Sequence, residues 1–141
     1  MYKILIATDG SEHSWKTVDE ALKIGKAMNA EIAAVTVVED KPLLIATTPY
    51  SVVEGYKEAI EKGAKEVLQK TKEYCQEKGV TINTIFEYGH PAETICKIAE
   101  EGNYDLLVLG HSGLGKIEKM ILGSVANKIA HSSTINVLIV K

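Results

Sequence analysis

The stretch LLVLGHSGLGKIEKMILGS, residues Leu106 to Ser124, carries the strongest indication of fold in this chain. Its leading apolar residues predict a buried strand, and Gly110 begins a glycine-rich loop. Gly123 and Ser124 then open a helix predicted from Val125 to His131. Backbone N–H groups and the positive end of a helix dipole therefore face one space, which favours an anion such as the phosphate chain of a nucleotide.

Three glycines, Gly110, Gly113 and Gly115, fall within six residues, which disfavours the alternative of a plain turn and helix cap. The phosphate loop G-x-x-x-x-G-K-[ST] matches as far as Lys116, but Ile117 stands where the magnesium-binding hydroxyl belongs. The dinucleotide fingerprint has another glycine order and follows the first strand of its fold. The predicted loop therefore follows neither motif.

Composition limits the class of protein. The 141 residues, 45% hydrophobic and 25% charged, suit one compact domain predicted to span residues 1–141. A net charge of −3 predicts binding to neither nucleic acid nor an anionic membrane, and the apolar runs are only as long as strands. Cys75 and Cys96 form no C-x-x-C pair, which indicates buried or half-buried thiols in a reducing cytoplasm.

Apolar strands alternate with helices along the chain. The predicted strands are Ile4–Ala7, Glu31–Val38, Thr81–Tyr88, Leu106–Leu109 and Ile135–Val140. The predicted helices run from a cap at Ser11 to about Asn29, from Val53 to Lys78, from Pro91 to Glu101, and from Val125 to His131. This alternation predicts an α/β fold, a doubly wound five-stranded parallel sheet with helices on both faces, Rossmann-like. The third strand alternates only partly and is expected at an edge.

The helix predicted from Val53 to Lys78 is long and amphipathic, with charged residues on a solvated face. Its predicted apolar side consists of Tyr56, Ile60, Ala64, Val67, Leu68 and Tyr74. The segment Glu39–Ser51 before it is longer than most connections. A lid over a ligand, a mobile surface loop and a dimer contact all remain open for this segment.

Ligands of doubly wound sheets bind beyond the carboxyl ends of the strands, where the winding reverses. Five strands place the first and fourth side by side at that point, so Thr8-Asp9-Gly10-Ser11 meets Gly110-His111-Ser112-Gly113. Asp9 is predicted to accept hydrogen bonds from a ribose, with a helix cap or turn as the structural alternative. Val37 is predicted to offer an apolar wall and backbone groups to a base, with plain core as the alternative.

The pattern G-x-x-G, nine residues, then G-S fits Gly110, Gly113, Gly123 and Ser124. With the N-terminal ILIATDGS and the Gly89-x-Pro91 turn, the whole chain resembles the universal stress protein family, and its ATP-binding branch in particular. The resemblance implies an adenine nucleotide alpha hydrolase-like sheet, a homodimer and a nucleotide-dependent regulatory role in the stress response. It also implies ATP as the ligand, with ADP or AMP as alternatives, and magnesium or manganese on the phosphates.

The resemblance implies that Asp9 binds the ribose, Val37 the adenine and the glycine loop the phosphates. The full predicted site is Ala7, Thr8, Asp9, Val37, Leu109, Gly110, His111, Ser112, Gly113, Gly123, Ser124 and Val125. Ala126 departs from the Ser or Thr frequent in the family, and Leu114 and Gly115 replace basic or polar residues. Contact with the γ-phosphate is therefore less well supported than contact with the ribose and the inner phosphates.

Neither a nucleophile–base–orienter spacing nor a cluster of metal ligands is evident in the sequence, so no catalytic residue and no protein metal site is predicted. Among His13, His111, Ser112 and Lys116, the best candidate for assisting hydrolysis is His111. The prediction is a nucleotide-binding regulatory module with little or no turnover. The alternatives are a slow or partner-dependent ATPase or phosphotransferase and a nucleotide-free dimerisation scaffold; flavin binding is disfavoured.

The last predicted strand, Ile135–Val140, lies beyond the fourth strand and forms an apolar edge with unpaired backbone groups. Pairing with a two-fold mate covers such an edge. A homodimer through the C-terminal strand is therefore predicted.

Overall fold

The computed structural model describes residues 1–9, 12–39, 49–111 and 122–141. Its strands are β1 (Lys3–Ala7), β2 (Glu31–Val38), β3 (Asn83–Tyr88), β4 (Leu106–Gly110) and β5 (Asn136–Val140). Its helices are α1 (Glu12–Met28), α2 (Tyr50–Glu77), α3 (Pro91–Glu101) and α4 (Ser124–Ser132). None of the helices in these ranges has the length and apolar character needed to cross a bilayer. Most of the predicted Glu39–Ser51 connection lies outside the described residues.

The five strands form one sheet in the order β3-β2-β1-β4-β5, and every pairing is parallel. β1 pairs with β2 through Leu5 opposite Ala33, and with β4 through Leu5 opposite Leu107. The predicted doubly wound parallel sheet is therefore confirmed, as is the adjacency of the first and fourth strands. β3 and β5 occupy the two edges, as the sequence predicted.

Helices cover both faces of the sheet. Alternate side chains of each strand point to opposite faces, so each strand contributes residues to two core clusters. Ile4 and Ile6 of β1 belong to a core cluster that includes residues of α1 and α2. Leu5, between them, belongs to a second cluster that includes residues of α3 and α4. Burial on both faces explains why β1 is a continuous apolar run rather than an alternating one.

Helix α2 begins at Tyr50, three residues before the predicted start at Val53. Pro49 has φ −54° and ψ 142°, and its carbonyl accepts the first hydrogen bonds of the helix, from the N–H groups of Val52 and Val53. A proline suits this position because its φ is already close to the helical value and no N–H is needed there.

One residue assigned to the apolar side of α2 was placed wrongly: Tyr56 is 44% exposed. Ala64 and Leu68, which were predicted for this side, are buried, and they form the buried seam of the second half of the helix together with Thr71 and Cys75. These residues follow one another at intervals of three and four, whereas Tyr56 is eight residues before Ala64 and lies roughly 80° around the helix from the seam. Regular helix geometry therefore turns the Tyr56 ring towards solvent.

Helix α2 ends at Glu77, one residue before the predicted end at Lys78, and Gly79 follows with φ +83°, a conformation that glycine adopts without steric cost. Helix α3 ends at Glu101 as predicted, but the residue in the left-handed conformation is Asn103, with φ +55°, rather than Gly102. Asparagine tolerates this region because its short polar side chain bonds locally.

Cys75 is fully buried and Cys96 is half-buried, which confirms the predicted burial of the two thiols. Burial raises the pKa of the Cys75 thiol from its usual 9.0 to about 11, and the negative charge of Asp19 adds to the effect. Burial also raises the pKa of Cys96, with a smaller contribution from Glu100. Because the folded-state pKa of Cys75 is raised, its contribution to stability is complete below pH 9 and is lost as the pH rises through about 11.

We expect the Cys75 thiol to resist alkylation in the folded protein. At pH 8 a pKa two units above the usual one lowers the thiolate fraction about 100-fold, and burial blocks access as well. The measurement is the iodoacetamide rate of the Cys96→Ala variant in buffer and in denaturing urea. The Cys75→Ala variant, which keeps only the half-buried Cys96, serves as the control and should react faster in buffer. Equal rates for the two folded variants would contradict this account.

The packing of helix α4 against the core should depend on Ile129. Its side chain is 0% exposed, and it belongs to the core cluster that also contains residues of α3. We expect Ile129→Ala to lower the free energy of unfolding by about 2–5 kcal/mol, because it leaves a cavity in a packed core. The adjacent exposed Lys128→Ala should change it by less than about 0.5 kcal/mol. Urea denaturation of both variants measures the difference, and equal midpoints would show that α4 is not held by this contact.

Candidate functional site

Strand β1 stops pairing before its neighbour ends. The N–H of Thr8 donates to the carbonyl of Val35 at 3.1 Å, and the register between the two strands finishes with Ala7 opposite Val35. β2 continues for three residues beyond that point, to Val38. Among the described residues, β2 and β4 therefore extend beyond the end of β1 on either side of it, which leaves a notch at the carboxyl edge of the sheet. Asp9 follows directly and is exposed at this notch.

The backbone of Val37 faces the notch. The carbonyl of Val35 is bonded to β1, and the carbonyl of Val38 accepts from Gly89 N at the β3 side, at 3.0 Å. Backbone groups in a strand alternate in direction, so those of Val37 point to the same side as those of Val35. The side chain of Val37 is half-buried against the core cluster on the α3 and α4 face. Val37 thus presents an N–H, a C=O and an apolar surface beyond the end of β1.

A buried side chain holds the end of β1 in place. The Thr36 hydroxyl donates to the carbonyl of Thr8 at 3.0 Å, across 28 residues of sequence. Thr36 was not among the site residues predicted from the sequence. Its signal was a single hydroxyl within the otherwise apolar run from Ile32 to Val38.

On the other side of the notch, β4 ends beside both β5 and α4. The N–H of His111 donates to the carbonyl of Val140 at 2.8 Å, and the carbonyl of His111 accepts from the N–H of Gly123 at 2.9 Å. The two ends of the glycine loop are therefore one hydrogen bond apart. Ser112 and Gly113, which were predicted to bind phosphate, lie outside the described residues, as does Lys116.

Helix α4 begins at Ser124, one residue before the predicted start, with Gly123 as its N-cap and without a side-chain capping bond. The N–H of Asn127 donates to the carbonyl of Gly123, which makes this the first intrahelical bond. The N–H groups of Ser124, Val125 and Ala126 therefore come before the first intrahelical hydrogen bond, and the helix itself offers them no carbonyl acceptor. The first turn has no acidic residue, so nothing on the helix itself opposes an anion at this positive end.

Side chains at this end of α4 differ in what they can contribute. Ala126 is 3% exposed and packs in the core, so this position supports the helix and supplies no hydroxyl. Ser124 and Val125 are exposed. Leu109, 4% exposed, is a core side chain, which leaves only its backbone for a ligand.

Register places the two halves of the predicted site together. Ile6 is opposite Val108, so Asp9 and His111 each follow three residues after a paired position on neighbouring parallel strands. Ten of the twelve predicted residues are described. They lie near the carboxyl ends of β1, β2 and β4 or at the start of α4: Ala7, Thr8, Asp9, Val37, Leu109, Gly110, His111, Gly123, Ser124 and Val125. Within the described ranges, no group of three or more His, Cys, Asp or Glu side chains is arranged to hold a metal ion.

The model of the universal stress protein family matches residues 1–141. Among curated relatives, universal stress protein YxiE of Bacillus subtilis is 33% identical over 145 residues, covering 99% of this chain and 98% of its own. A universal stress protein of Methanocaldococcus jannaschii is 36% identical over 139 residues, covering 99% of this chain and 81% of its own.

Solved structures agree with the fold. Universal stress protein UspA from Lactobacillus plantarum superposes with a TM-score of 0.84 at 23% identity, covering 99% of this chain and 97% of its own. A universal stress protein crystallised in complex with cAMP superposes with a TM-score of 0.73 at 28% identity, again covering 99% and 97%. The family model over the full length and the two curated relatives lead to one conclusion: this chain belongs to the universal stress protein family.

Proposed function

We propose that this protein binds an adenine nucleotide in the notch beyond β1 and acts as a nucleotide-dependent regulatory module of the stress response. ATP is the proposed ligand, with ADP or AMP as alternatives. The observation that carries the proposal is the early end of β1, which leaves the backbone of Val37 facing a space bordered by Asp9 and by the amino end of α4.

The base is proposed to lie against Val37. Adenine has an amino donor next to a ring-nitrogen acceptor, and one strand residue offers the complementary C=O and N–H on the same side. The half-buried valine side chain supplies the apolar surface on which such a ring packs. A backbone donor and acceptor discriminate between bases, because a guanine in the same pose presents a carbonyl where adenine presents its amino group.

The sugar and phosphates are proposed to lie between β1 and α4. The Asp9 carboxylate accepts hydrogen bonds from ribose hydroxyls, and bonds to a charged group contribute roughly 1.5–3 kcal/mol. The N–H groups at the start of α4 bind the phosphates, assisted by the helix dipole. The described donors suit phosphate oxygens rather than a cation, so magnesium or manganese is proposed to enter on the nucleotide's own phosphates.

The relative solved with cAMP supports an adenine nucleotide as the ligand class. The choice of ATP rests on the resemblance of the glycine-loop spacing to the ATP-binding branch of the family. We propose that residues 1–141 act as one domain in the cytoplasm, binding nucleotide with little or no turnover.

We also propose a homodimer through β5, which has β4 as its strand partner on one side only. The carbonyl of Val140 faces β4, since it accepts from His111. By alternation, the backbone groups of Leu138 face β4 as well, whereas those of Val137 and Ile139 face outward. Pairing this apolar edge with the same edge of a second copy satisfies those groups in an isologous interface.

Nucleotide binding is tested with two carboxylates, one beyond the carboxyl end of β1 and one before the amino end of β4. We expect Asp9→Asn to weaken ATP binding about tenfold or more, because it removes the charged acceptor proposed for the ribose. Asp105→Asn makes the same charge change at the amino end of β4, where Asp105 accepts from Lys3 N, and should leave the affinity unchanged. Isothermal titration gives the dissociation constants.

The same purified protein is denatured, and any released nucleotide is identified by mass. An adenine nucleotide is the expected species. Failure of millimolar ATP, ADP and AMP to bind or to raise the melting temperature would overturn the proposed function and favour a nucleotide-free scaffold.

The proposed dimer is tested with proline at two adjacent positions of β5. Val137→Pro removes an outward N–H and should give a folded monomer, whereas Leu138→Pro removes an N–H that faces β4 and should destabilise the fold itself. Sedimentation equilibrium at micromolar concentration measures assembly, and circular dichroism measures folding. A monomeric wild type would overturn the proposed interface.

A further inference from the structure

The Thr36 hydroxyl is a polar group within the core. Thr36 is 9% exposed and lies between Val35 and Val37 in β2. A hydroxyl at such a depth costs free energy unless it forms a hydrogen bond. Its bond goes to the carbonyl of Thr8 at 3.0 Å, at the point where β1 stops pairing with β2.

If the ladder between β1 and β2 continued, the Thr8 carbonyl would accept a backbone N–H instead of the Thr36 hydroxyl. In a regular parallel pair, the carbonyl of Thr8 would accept from the N–H of Val37, two residues beyond the Val35 carbonyl that accepts from Thr8. The ladder ends before that bond, with Ala7 opposite Val35. The Thr36 side chain binds the Thr8 carbonyl instead, and the Val37 N–H stays beyond the ladder.

We propose that Thr36 is a positioning residue of the nucleotide site, an inference that rests on the proposed function. Its hydroxyl holds the Thr8 carbonyl, and the peptide that this carbonyl belongs to leads directly into Asp9. Fixing that peptide sets the direction in which the chain leaves β1 and carries the carboxylate.

Thr36 acts through Thr8 rather than on the ligand. Its side chain alternates with those of Val35 and Val37 and therefore lies on the opposite face of β2 from them, the face covered by α1 and α2. Replacing it by valine keeps the shape and removes the hydroxyl. Replacing it by serine keeps the hydroxyl and removes a methyl group.

Thr71 provides a matched control. It is 2% exposed on α2, and its hydroxyl donates to the carbonyl of Val67 at 2.8 Å. Thr71→Val therefore removes the same kind of hydroxyl–carbonyl bond from within a helix, where the bond does not hold a strand end. Any effect common to Thr36→Val and Thr71→Val reports stability alone.

The experiment titrates each variant with ATP and with 2′,3′-dideoxy-ATP, which lacks both ribose hydroxyls. We expect Thr36→Val to weaken ATP binding about three- to tenfold, the range for one net hydrogen bond. Thr36→Ser should stay near wild type, and Thr71→Val should match wild type. Because the effect passes through Asp9, Thr36→Val should reduce the preference for ATP over the dideoxy analogue, and it should weaken ATP binding less in an Asp9→Asn background.

The outcomes separate the inference from the function on which it rests. If the wild type binds no adenine nucleotide, both fall. If the wild type binds ATP and Thr36→Val binds it equally well, or weakens ATP and the dideoxy analogue to the same extent, the positioning role alone is overturned. Equal losses in Thr36→Val and Thr71→Val also overturn it, since they would reflect general destabilisation.

Discussion

The end of the hydrogen-bond ladder between β1 and β2 is the constraint on which the candidate site depends. The bond from Thr8 N to the Val35 carbonyl is the last backbone bond of that pairing, and β2 continues beyond it. A parallel sheet normally satisfies each backbone group with its neighbour. Where one strand stops early in the middle of a sheet, the next strand keeps a donor and an acceptor facing a space that a ligand can fill. The proposed nucleotide site follows from this local mismatch in strand length.

The opposite wall of the site is joined to the edge of the sheet by a short backbone connection. His111 donates to Val140 at the end of β5 and accepts from Gly123 at the start of α4. One peptide segment therefore links the proposed phosphate-binding helix to the strand that we propose for dimerisation. Ile129 holds the same helix against the core, so the amino end of α4 is fixed both by packing and by hydrogen bonds. Such fixing matters because a helix terminus binds an anion well only when its N–H groups are already in place.

Much of the fold was predictable from residue patterns. The continuous apolar runs predicted β1 and β2, and the 3.6-residue period predicted the helices, because buried strands and amphipathic helices leave different spacings in a sequence. The early start of α2 at Tyr50 follows from Pro49, whose carbonyl accepts the first hydrogen bonds of the helix. The misplacement of Tyr56 has another origin. A long helix has more apolar residues than its buried side can hold, and its packing angle against the sheet determines which of them are buried.

Residue patterns were sufficient to predict the order of elements and to identify the family of the chain. They also indicated most positions of the candidate site, because glycine spacing and polar strand ends are local features of a chain. Only the folded chain shows the register of the strands, the direction of the Val37 backbone and the bond between Thr36 and Thr8. These depend on which residues of two distant segments lie opposite each other. Side-chain periodicity specifies the face on which a residue lies, whereas the point at which a ladder stops depends on contacts between distant segments such as those of Thr8 and Thr36, 28 residues apart.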